Sequence, residues 1–300
     1  MQIEIKKDIP VSPQKVVMLD MHSFYNIINI ISGELQILEM LSDDQSSMKD
    51  CVKLCLEIKD GLSQADKVVE CAENIDNHID YINKKVQELI VTFPKLKEEP
   101  DALESLDNIQ SVLNILKVRA MEILVRYKEP GKWKNHDLKE LTQNFIDVFA
   151  AIEKNSKGKY RFVYNVAARK KNDYFIHLDF KSIDNKSVNM PPVFQDAMRD
   201  LIANARKYTS PGGNVITGLL EDEQRLHFAV EDTGIGIPEQ ELEKVVDFGF
   251  RASNARDRQT MGGGFGLTKA YCVTKHFNGR MWIDSEEGHG TRIYIEIPKP

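Results

Sequence analysis

Apolar residues recur every three or four positions through most of the first 130 residues of the chain. This spacing places them on one face of a helix and predicts four helical segments. The first segment has the narrow apolar stripe of a coiled-coil seam, which needs partner helices to bury it. We therefore predict an antiparallel helical bundle over residues 19–130, closed either within one chain or by pairing two chains. The clearest seam positions are Met21, Phe24, Ile28, Ile31, Leu35 and Leu38.

The three later segments follow the same period. A second helix is expected over about residues 47–62, and a third, with the longest regular repeat, from Val68 to Phe93. A fourth runs from Leu106 to Tyr127. Each has one apolar face, so all four segments can share a core.

Two interruptions set the domain boundaries. Residues 1–18 form an arm, with a short strand expected at Ile3–Ile5 and with Pro10 and Pro13 halting regular structure. The stretch KEPGKWKNHD, at 128–137, breaks the helical period, and we place the end of the bundle at residue 130.

Beyond this break the pattern becomes mixed. A helix from Leu138 to Phe149 leads to the strand-like runs YRFVYNV and YFIHLDF. Later, VITGLL and RLHFAVED flank the turn EDEQ, and GRMWIDS and TRIYIEIP pair near the end. Residues 131–300 are therefore predicted to form an α+β domain, with helices covering one face of a sheet.

One helix of this domain, over residues 193–209, carries a polar stripe. Asp196, Asp200, Asn204 and Lys207 lie three or four positions apart, on the face opposite the apolar residues. Carboxylate and amide oxygens suit a hard cation, and a lysine suits phosphate. A solvated helix face would have the same composition, so this stripe alone does not establish a site.

The ends of two strands add a second set of polar groups. In RLHFAVED, Asp232 shares a face with three apolar residues, and Thr291 shares a face with three isoleucines of the last strand. A carboxylate at the edge of an apolar layer needs a partner. These two side chains suit the donor and acceptor edge of a purine base, although a hydrogen bond between neighbouring loops would use the same residues.

Two glycine-rich loops favour the ligand. Asp232-Thr-Gly234-Ile-Gly236 directly follows a strand, where glycines let backbone approach a flat ligand closely. Gly262–Gly266 precedes a helix, whose amides can hold phosphate. The loop is neither a Walker A motif nor a dinucleotide fingerprint, since Lys269 occupies the third glycine position.

The order of these pieces resembles the Bergerat-type (GHKL) ATP-binding domain that sensor histidine kinases share with type II topoisomerases and heat-shock chaperones. The likeness covers about residues 137–300 and is nearest to histidine kinases. The expected fold is a GHKL α/β sandwich after the bundle. The matching pieces are an N box (Asp200–Tyr208), a G1 box (Asp232–Gly236), an F region (Phe248–Arg251), a G2 box (Gly262–Gly266) and a G3 box (Gly288–Thr291).

The resemblance implies ATP and Mg²⁺ as cofactors. It implies that Asn204 holds Mg²⁺ between the phosphates, that Lys207 contacts phosphate and that Tyr208 borders the nucleotide. It implies that Asp232 accepts a hydrogen bond from the adenine amine, and that residues 238–263 form a mobile lid. The remaining nucleotide-binding residues it implies are Gly234, Gly236, Gly264, Gly266 and Thr291.

Asp200 departs from the family pattern. Histidine kinases often carry Asn at this position, whereas hydrolysing relatives carry an acid. We consider two roles for Asp200, a second contact to the metal beside Asn204 and a carboxylate that polarises a nucleophile.

A kinase of this type needs a histidine on a bundle helix, and His22 lies near the start of the first one. His22 followed four residues later by Asn26 resembles one variant of the family's H box. Asn26 could orient water for dephosphorylating a partner. Ser23 stands where the family commonly has Glu or Asp, which can take the imidazole proton as phosphate arrives. A serine cannot act as that base. Compared with the family, helices over about 46–98 are inserted in the hairpin.

These observations predict a cytoplasmic histidine kinase of a two-component system. It would phosphorylate His22 with ATP and pass the phosphoryl group to the receiver domain of a response regulator. A sensor or regulatory protein in trans and a second copy of the chain, forming a homodimer, are further expected partners. The net charge of −6 with no basic half argues against nucleic-acid binding. The short apolar runs and the absence of a signal-like start argue against a membrane segment.

Three alternatives remain open from sequence. The chain could be a regulatory or phosphatase-biased protein weakened as a kinase by Ser23. It could be a serine protein kinase resembling the mitochondrial dehydrogenase kinases, which pair a helical bundle with the same ATP domain. It could also be a binding module whose ATP site only controls docking.

Overall fold

The computed structural model describes the chain except for residues 1, 10–12, 44–45, 63, 65–66, 129–130, 157 and 257–263, and except for the side chains of 13–23, 122, 125–127, 151 and 154–155. The chain divides into two compact units. Val11–Pro130 form the helical unit, whereas Met1–Pro10 and Gly131–Pro300 together form the sheet unit. The start of the chain therefore belongs with its carboxy-terminal half.

The helical unit contains five α-helices in its described residues. Helix α1 begins at Pro13, not after residue 18, because a proline in the first helical turn has no amide that needs a partner there. The predicted third helix is divided near Asn74, whose side chain bonds to the Glu70 carbonyl oxygen at 3.0 Å. The helices are α1 (Pro13–Leu41), α2 (Lys49–Leu62), α3 (Val68–Glu73), α4 (Ile75–Thr92) and α5 (Pro100–Lys128), with a 3₁₀ turn at Pro94–Lys97.

The seam positions of α1 from Phe24 to Leu38 are buried within one chain, and the side chain of Met21 lies outside the described residues. Leu35 and Leu38 are fully buried in a single core with apolar residues of all the other helices of this unit. Asn108 of α5 donates to Glu34 at 3.0 Å, and Lys95 pairs with Asp43 at 3.3 Å, so α1 and the segment leading into α5 run in opposite directions. Helix α5 and the inserted helix α2 thus supply the main partners that the seam requires.

The sheet unit is built on seven strands in the order β1-β8-β9-β7-β6-β4-β3, beside a two-stranded sheet β2-β5. The strands are β1 (Gln2–Glu4), β2 (Lys134–Asp137), β3 (Phe162–Val163), β4 (Tyr174–Lys181), β5 (Ser187–Met190), β6 (Asn214–Glu221), β7 (Arg225–Asp232), β8 (Arg280–Glu286) and β9 (Gly290–Pro298). The helices are α6 (Leu138–Asn155), α7 (Pro192–Tyr208) and α8 (Gly266–His276), with 3₁₀ turns at Val166–Ala168, Glu239–Glu241 and Ser253–Ala255.

Alternate positions of the central strands are buried against the helices. Leu226, Phe228 and Val230 of β7 alternate with more exposed residues, as the period of a half-covered strand requires. Phe194 of α7 packs edge-to-face on Phe228, with 5.9 Å between ring centroids. The predicted fold class, a helical bundle followed by an α/β sandwich with helices over one sheet face, is confirmed.

Residues 2–9 cover an edge of the large sheet. β1 pairs antiparallel with β8, one residue earlier than the expected strand at Ile3–Ile5, and Ile5 is buried. The Tyr271 hydroxyl of α8 donates to the Lys7 carbonyl oxygen at 2.6 Å. The Lys7 ammonium pairs with Asp247 at 2.6 Å. This arm is held by backbone pairing, burial and an ion pair together.

Candidate functional site

Asp232 ends β7 at the centre of the sheet, directly opposite Thr291 of β9. Its carboxylate oxygen Oδ1 accepts from the amide of Gly234 at 2.7 Å. Partial burial raises the pKa of Asp232 to about 6, although hydrogen bonds from Gly234, Thr291 and Thr209 lower it. The carboxylate is therefore a strong acceptor in a site that shields it from water.

Hydroxyl groups next to this carboxylate form a short network. The Ser285 hydroxyl accepts from the Ile237 amide at 2.9 Å and lies 2.8 Å from the Gly290 carbonyl oxygen. Thr291 Oγ1 lies 2.8 Å from Ser285 Oγ. No pattern in the sequence singles out Ser285. It lies opposite Thr291 on the neighbouring strand, and only that strand pairing reveals it.

The loop after β7 is packed too closely for any residue but glycine at two positions. Gly236 has φ +66°, and a Cβ there would overlap the Glu286 carbonyl oxygen. A Cβ on Gly234 would lie 2.6 Å from the Tyr208 carbonyl oxygen, which already accepts from the Ile235 amide at 3.2 Å. The loop is thus fixed between the end of α7 and the β8–β9 turn.

The first turn of α8 lies against the polar stripe of α7. A Cβ on Gly266 would lie 3.1 Å from Asn204 Nδ2 and 3.4 Å from Asp200 Cβ. Gly264 has φ +77° and sits close to the Phe250 carbonyl oxygen. The start of α8 and the side-chain amide of Asn204 therefore lie side by side. Gly262 and Gly263 lie outside the described residues.

Positive charge gathers at the end of α7. Lys207 is half-buried, with its ammonium 5.3 Å from the ring centroid of Tyr208. Burial lowers the pKa of Lys207, and the nearby cations Arg251 and Arg206 lower it further. A bound anion would offset both effects, so these cations suit a phosphate chain.

Asp200 lies beside a buried lysine. Lys269 of α8 places its ammonium 3.5 Å from Asp200 Oδ2 and 4.0 Å from Asp196 Oδ2. Asp196 also pairs with Arg199 at 3.1 Å. In the sequence, Lys269 stands out only because it breaks a glycine pattern. The packing of α8 on α7 brings it next to Asp200 and Asp196. The two roles considered for Asp200 stay predictions.

The described residues contain no cluster of three or more His, Cys, Asp or Glu suited to a metal ion. A magnesium ion here would need phosphate oxygens and water in addition to Asn204, which is how Mg²⁺ commonly binds at nucleotide sites. Asn204 is partly exposed on α7, next to the start of α8, so its position fits that role.

Part of the predicted lid is firmly packed. Val246 is fully buried, and Glu241 accepts from the Ser253 amide at 2.8 Å. Asn254 Nδ2 donates to the Gly236 carbonyl oxygen at 3.1 Å, which ties this segment to the loop after β7. The remainder of the predicted lid, residues 257–263, lies outside the described residues.

The phospho-acceptor candidate lies in the helical unit. The backbone of His22 is part of α1, while its side chain and that of Ser23 lie outside the described residues. Asn26 is exposed one turn further along the helix. The structure therefore brings Asp200, Asn204 and the glycine loops together in the sheet unit, with His22 and Asn26 in the helical unit.

Residues 191–300 match the family of histidine kinase-, DNA gyrase B- and HSP90-like ATPases. This part of the chain is a domain of that ATPase family.

The relatives of the chain are sensor histidine kinases. This chain is 41% identical over 101 residues to the sensor histidine kinase WalK of Bacillus subtilis, and the alignment covers 33% of this chain and 16% of WalK. It is 32% identical over 134 residues to the adaptive-response sensory kinase SasA of Crocosphaera subtropica, covering 42% of this chain and 35% of SasA. The chain thus spans well under half the length of these relatives.

Among solved structures, a mycobacterial sensor histidine kinase, MprB, aligns at 22% identity and a TM-score of 0.40, covering 55% of this chain and 97% of that one. Across the described residues, no helix combines the length and apolar character needed to cross a bilayer.

Proposed function

We propose that the chain is a cytoplasmic histidine kinase of a two-component system. In this proposal the sheet unit binds Mg·ATP and the γ-phosphoryl group is transferred to His22 of α1. The observation that carries it is that the loop after Asp232 packs against the end of α7 at Tyr208, while the first turn of α8 packs against Asn204 and Asp200 of the same helix. The match of residues 191–300 to the ATPase family also supports ATP as the ligand.

The adenine end of the nucleotide would lie at Asp232. When ionised, its carboxylate accepts from the exocyclic amine, and Thr291 and Ser285 contribute hydroxyl groups beside it. Because Gly234 and Gly236 fix the loop, these groups are positioned before the ligand arrives.

The phosphates would lie between the end of α7 and the start of α8. Lys207 and the amides from Gly264 to Gly266 are the groups that contact them, and Tyr208 borders the nucleotide. Asn204 would hold the magnesium ion, whose chemistry is to neutralise charge on the phosphates. The chain's own groups orient the nucleotide and reduce its access to water.

The transfer step requires a nucleophile on the helical unit. A ring nitrogen of His22 forms a bond to the γ-phosphorus as the bond between that phosphorus and the bridging oxygen breaks, which releases ADP. The proton on the imidazole ring is released to water. The phosphoryl group then passes to an aspartate carboxylate on the receiver domain of a response regulator. A sensor or regulatory protein in trans, or a second copy of the chain, would supply the input.

The test is incubation of the full chain with γ-³²P-labelled ATP. Wild type should gain label that is lost in acid and survives in base, as a phosphohistidine does. His22→Ala should gain none while still binding ATP, and Asn204→Ala should gain none because its magnesium contact is lost. Label that persists in His22→Ala would reject the acceptor, and acid-stable label would favour a serine kinase.

A phosphatase-biased protein is the second candidate, and it is favoured by Ser23 and by the exposed amide of Asn26. A serine next to the acceptor cannot take its proton, whereas an amide one turn away can orient water. In this case wild type would show little label, Ser23→Glu would raise it, and Asn26→Ala would slow loss of phosphate from the receiver.

A further inference from the structure

Lys269 is a buried cation in the first turns of α8. Its side chain is only 8% exposed, and its ammonium lies between two carboxylates of α7, 3.5 Å from Asp200 and 4.0 Å from Asp196. A buried ammonium is unfavourable unless charges and hydrogen bonds compensate it. The two carboxylates are therefore what allows a lysine at this position.

Each carboxylate in this cluster has a cationic partner. Asp196 is nearly fully buried and pairs with Arg199 at 3.1 Å as well as lying 4.0 Å from Lys269. Asp200 is the more exposed of the two acids, with a side chain 30% exposed, and lies one helical turn before Asn204. Lys269 is consequently the cation that compensates the carboxylate nearest the phosphate region.

The same contact fixes the position of α8. The Lys269 amide donates to the Phe265 carbonyl oxygen at 2.8 Å, so the lysine belongs to the turn that starts with Gly266. Gly266 in turn packs against Asn204 and Asp200 of α7. The pair between Lys269 and Asp200 thus joins the two helices beside the amides proposed to bind phosphate.

We propose that Lys269 is a positioning residue of the nucleotide site. It neutralises Asp200, so that Asp200 neither ligates the magnesium ion nor acts as a base, and it holds the first turn of α8 against Asn204. The inference rests on the proposed function, because it assumes that Mg·ATP binds here. It leaves the neutral amide of Asn204 as the protein's metal contact.

Electrostatics oppose Asp200 as a ligand of the magnesium ion. For Asp200 to ligate magnesium, a doubly charged ion would have to come within a few ångströms of the Lys269 ammonium, or the carboxylate would have to leave a buried cation without its nearest partner. Coordination by Asn204 breaks no ion pair, because its amide carries no charge. The structure therefore favours Asn204 over Asp200 as the metal contact.

The experiment measures binding of a fluorescent ATP analogue, TNP-ATP, to the full chain in EDTA and across a magnesium titration. Removing the carboxylate in Asp200→Asn leaves extra positive charge, so affinity for the metal-free nucleotide should rise, by about fivefold, with the apparent magnesium affinity changed less than threefold. Lys269→Met leaves extra negative charge and should lower the metal-free affinity by a similar factor.

The double variant Asp200→Asn/Lys269→Met restores the charge balance. Its metal-free affinity should return towards wild type, and its melting temperature should recover most of a loss on the order of 10 °C expected for Lys269→Met alone. If Lys269 had only a structural role, Lys269→Met would lower the melting temperature, but the two single variants would not shift nucleotide affinity in opposite directions.

Failure of this inference and failure of the proposed function give different results. If wild type binds TNP-ATP but Asp200→Asn loses tenfold or more in magnesium affinity, Asp200 is a metal ligand and the inference is wrong. If wild type does not bind TNP-ATP at all, the nucleotide site itself is wrong. Asp200→Asn alone decides the first question even when Lys269→Met fails to fold.

Discussion

The nucleotide region and the helical bundle place different demands on their residues. Around Asp232, backbone atoms pack so closely that Gly236 cannot carry a side chain. In the bundle, Gly33 lies on α1 with nothing within 4 Å of the position of a Cβ, and the seam is filled by apolar residues of similar size. The nucleotide region depends on particular residue types, whereas the helical bundle depends on the amount of apolar surface that it buries.

This contrast explains where change is tolerated. Cores accept apolar substitutions that keep volume, whereas a positive φ angle next to a backbone oxygen accepts almost nothing but glycine. Variants placed in both regions can therefore test whether the difference is as large as the structure indicates.

The largest contrast is expected between two identical substitutions. Gly236→Ala should destabilise the sheet unit by on the order of 4 kcal/mol, because its Cβ would overlap the Glu286 carbonyl oxygen in a left-handed backbone conformation. Gly33→Ala should stabilise the helical unit by about 0.5–1 kcal/mol, because alanine is the better helix former. Urea denaturation measures the change in the free energy of unfolding for both variants. Equal changes would show that the two regions do not differ in their tolerance of alanine.

A smaller effect is expected from the bundle seam. Leu35→Ala should lower the free energy of unfolding of the helical unit by about 3 kcal/mol, since Leu35 is fully buried. Ile37→Ala, two positions away on the exposed side, should lower it by less than about 1 kcal/mol. Circular dichroism during denaturation reports the difference, and ATP affinity should stay unchanged because Leu35 lies in the helical unit.

The smallest expected effect is on nucleotide affinity and concerns the ionisation of Asp232. Burial raises the pKa of Asp232 in the folded protein from 3.8 to about 6, so the ionised carboxylate lowers stability above pH 6, and this penalty is relieved progressively as the pH falls from about 6 to the ordinary pKa of 3.8. Nucleotide affinity should run the opposite way, because the adenine amine needs the ionised acceptor. ATP affinity should therefore weaken from pH 7.5 to pH 5.

Asp232→Asn is the matched control for that titration. It should lower affinity at pH 7.5 by roughly tenfold or more, the value of a hydrogen bond to a charged group, and should remove the pH dependence near 6. If the variant keeps the same pH profile as wild type, another group is responsible for it.

Sequence and structure agree most closely where residue chemistry is specific. Asp232 and the glycines after it were recognisable because a carboxylate after an apolar strand and glycines in tight loops have few other uses. Ser285 and Lys269 were not recognisable, since serine and lysine occur in many environments and acquire meaning only from their neighbours Thr291 and Asp200.

The sequence by itself predicted the fold class and the region proposed to bind nucleotide, because helical periodicity, strand alternation and glycine spacing are local properties. Only the tertiary structure decided that the described seam of α1 is filled within one chain, that strand β1 extends the distant sheet, and that Lys269 pairs with Asp200. Those three features are contacts between segments far apart along the chain. An apolar stripe, a short strand or a lysine does not specify which distant partner it will meet.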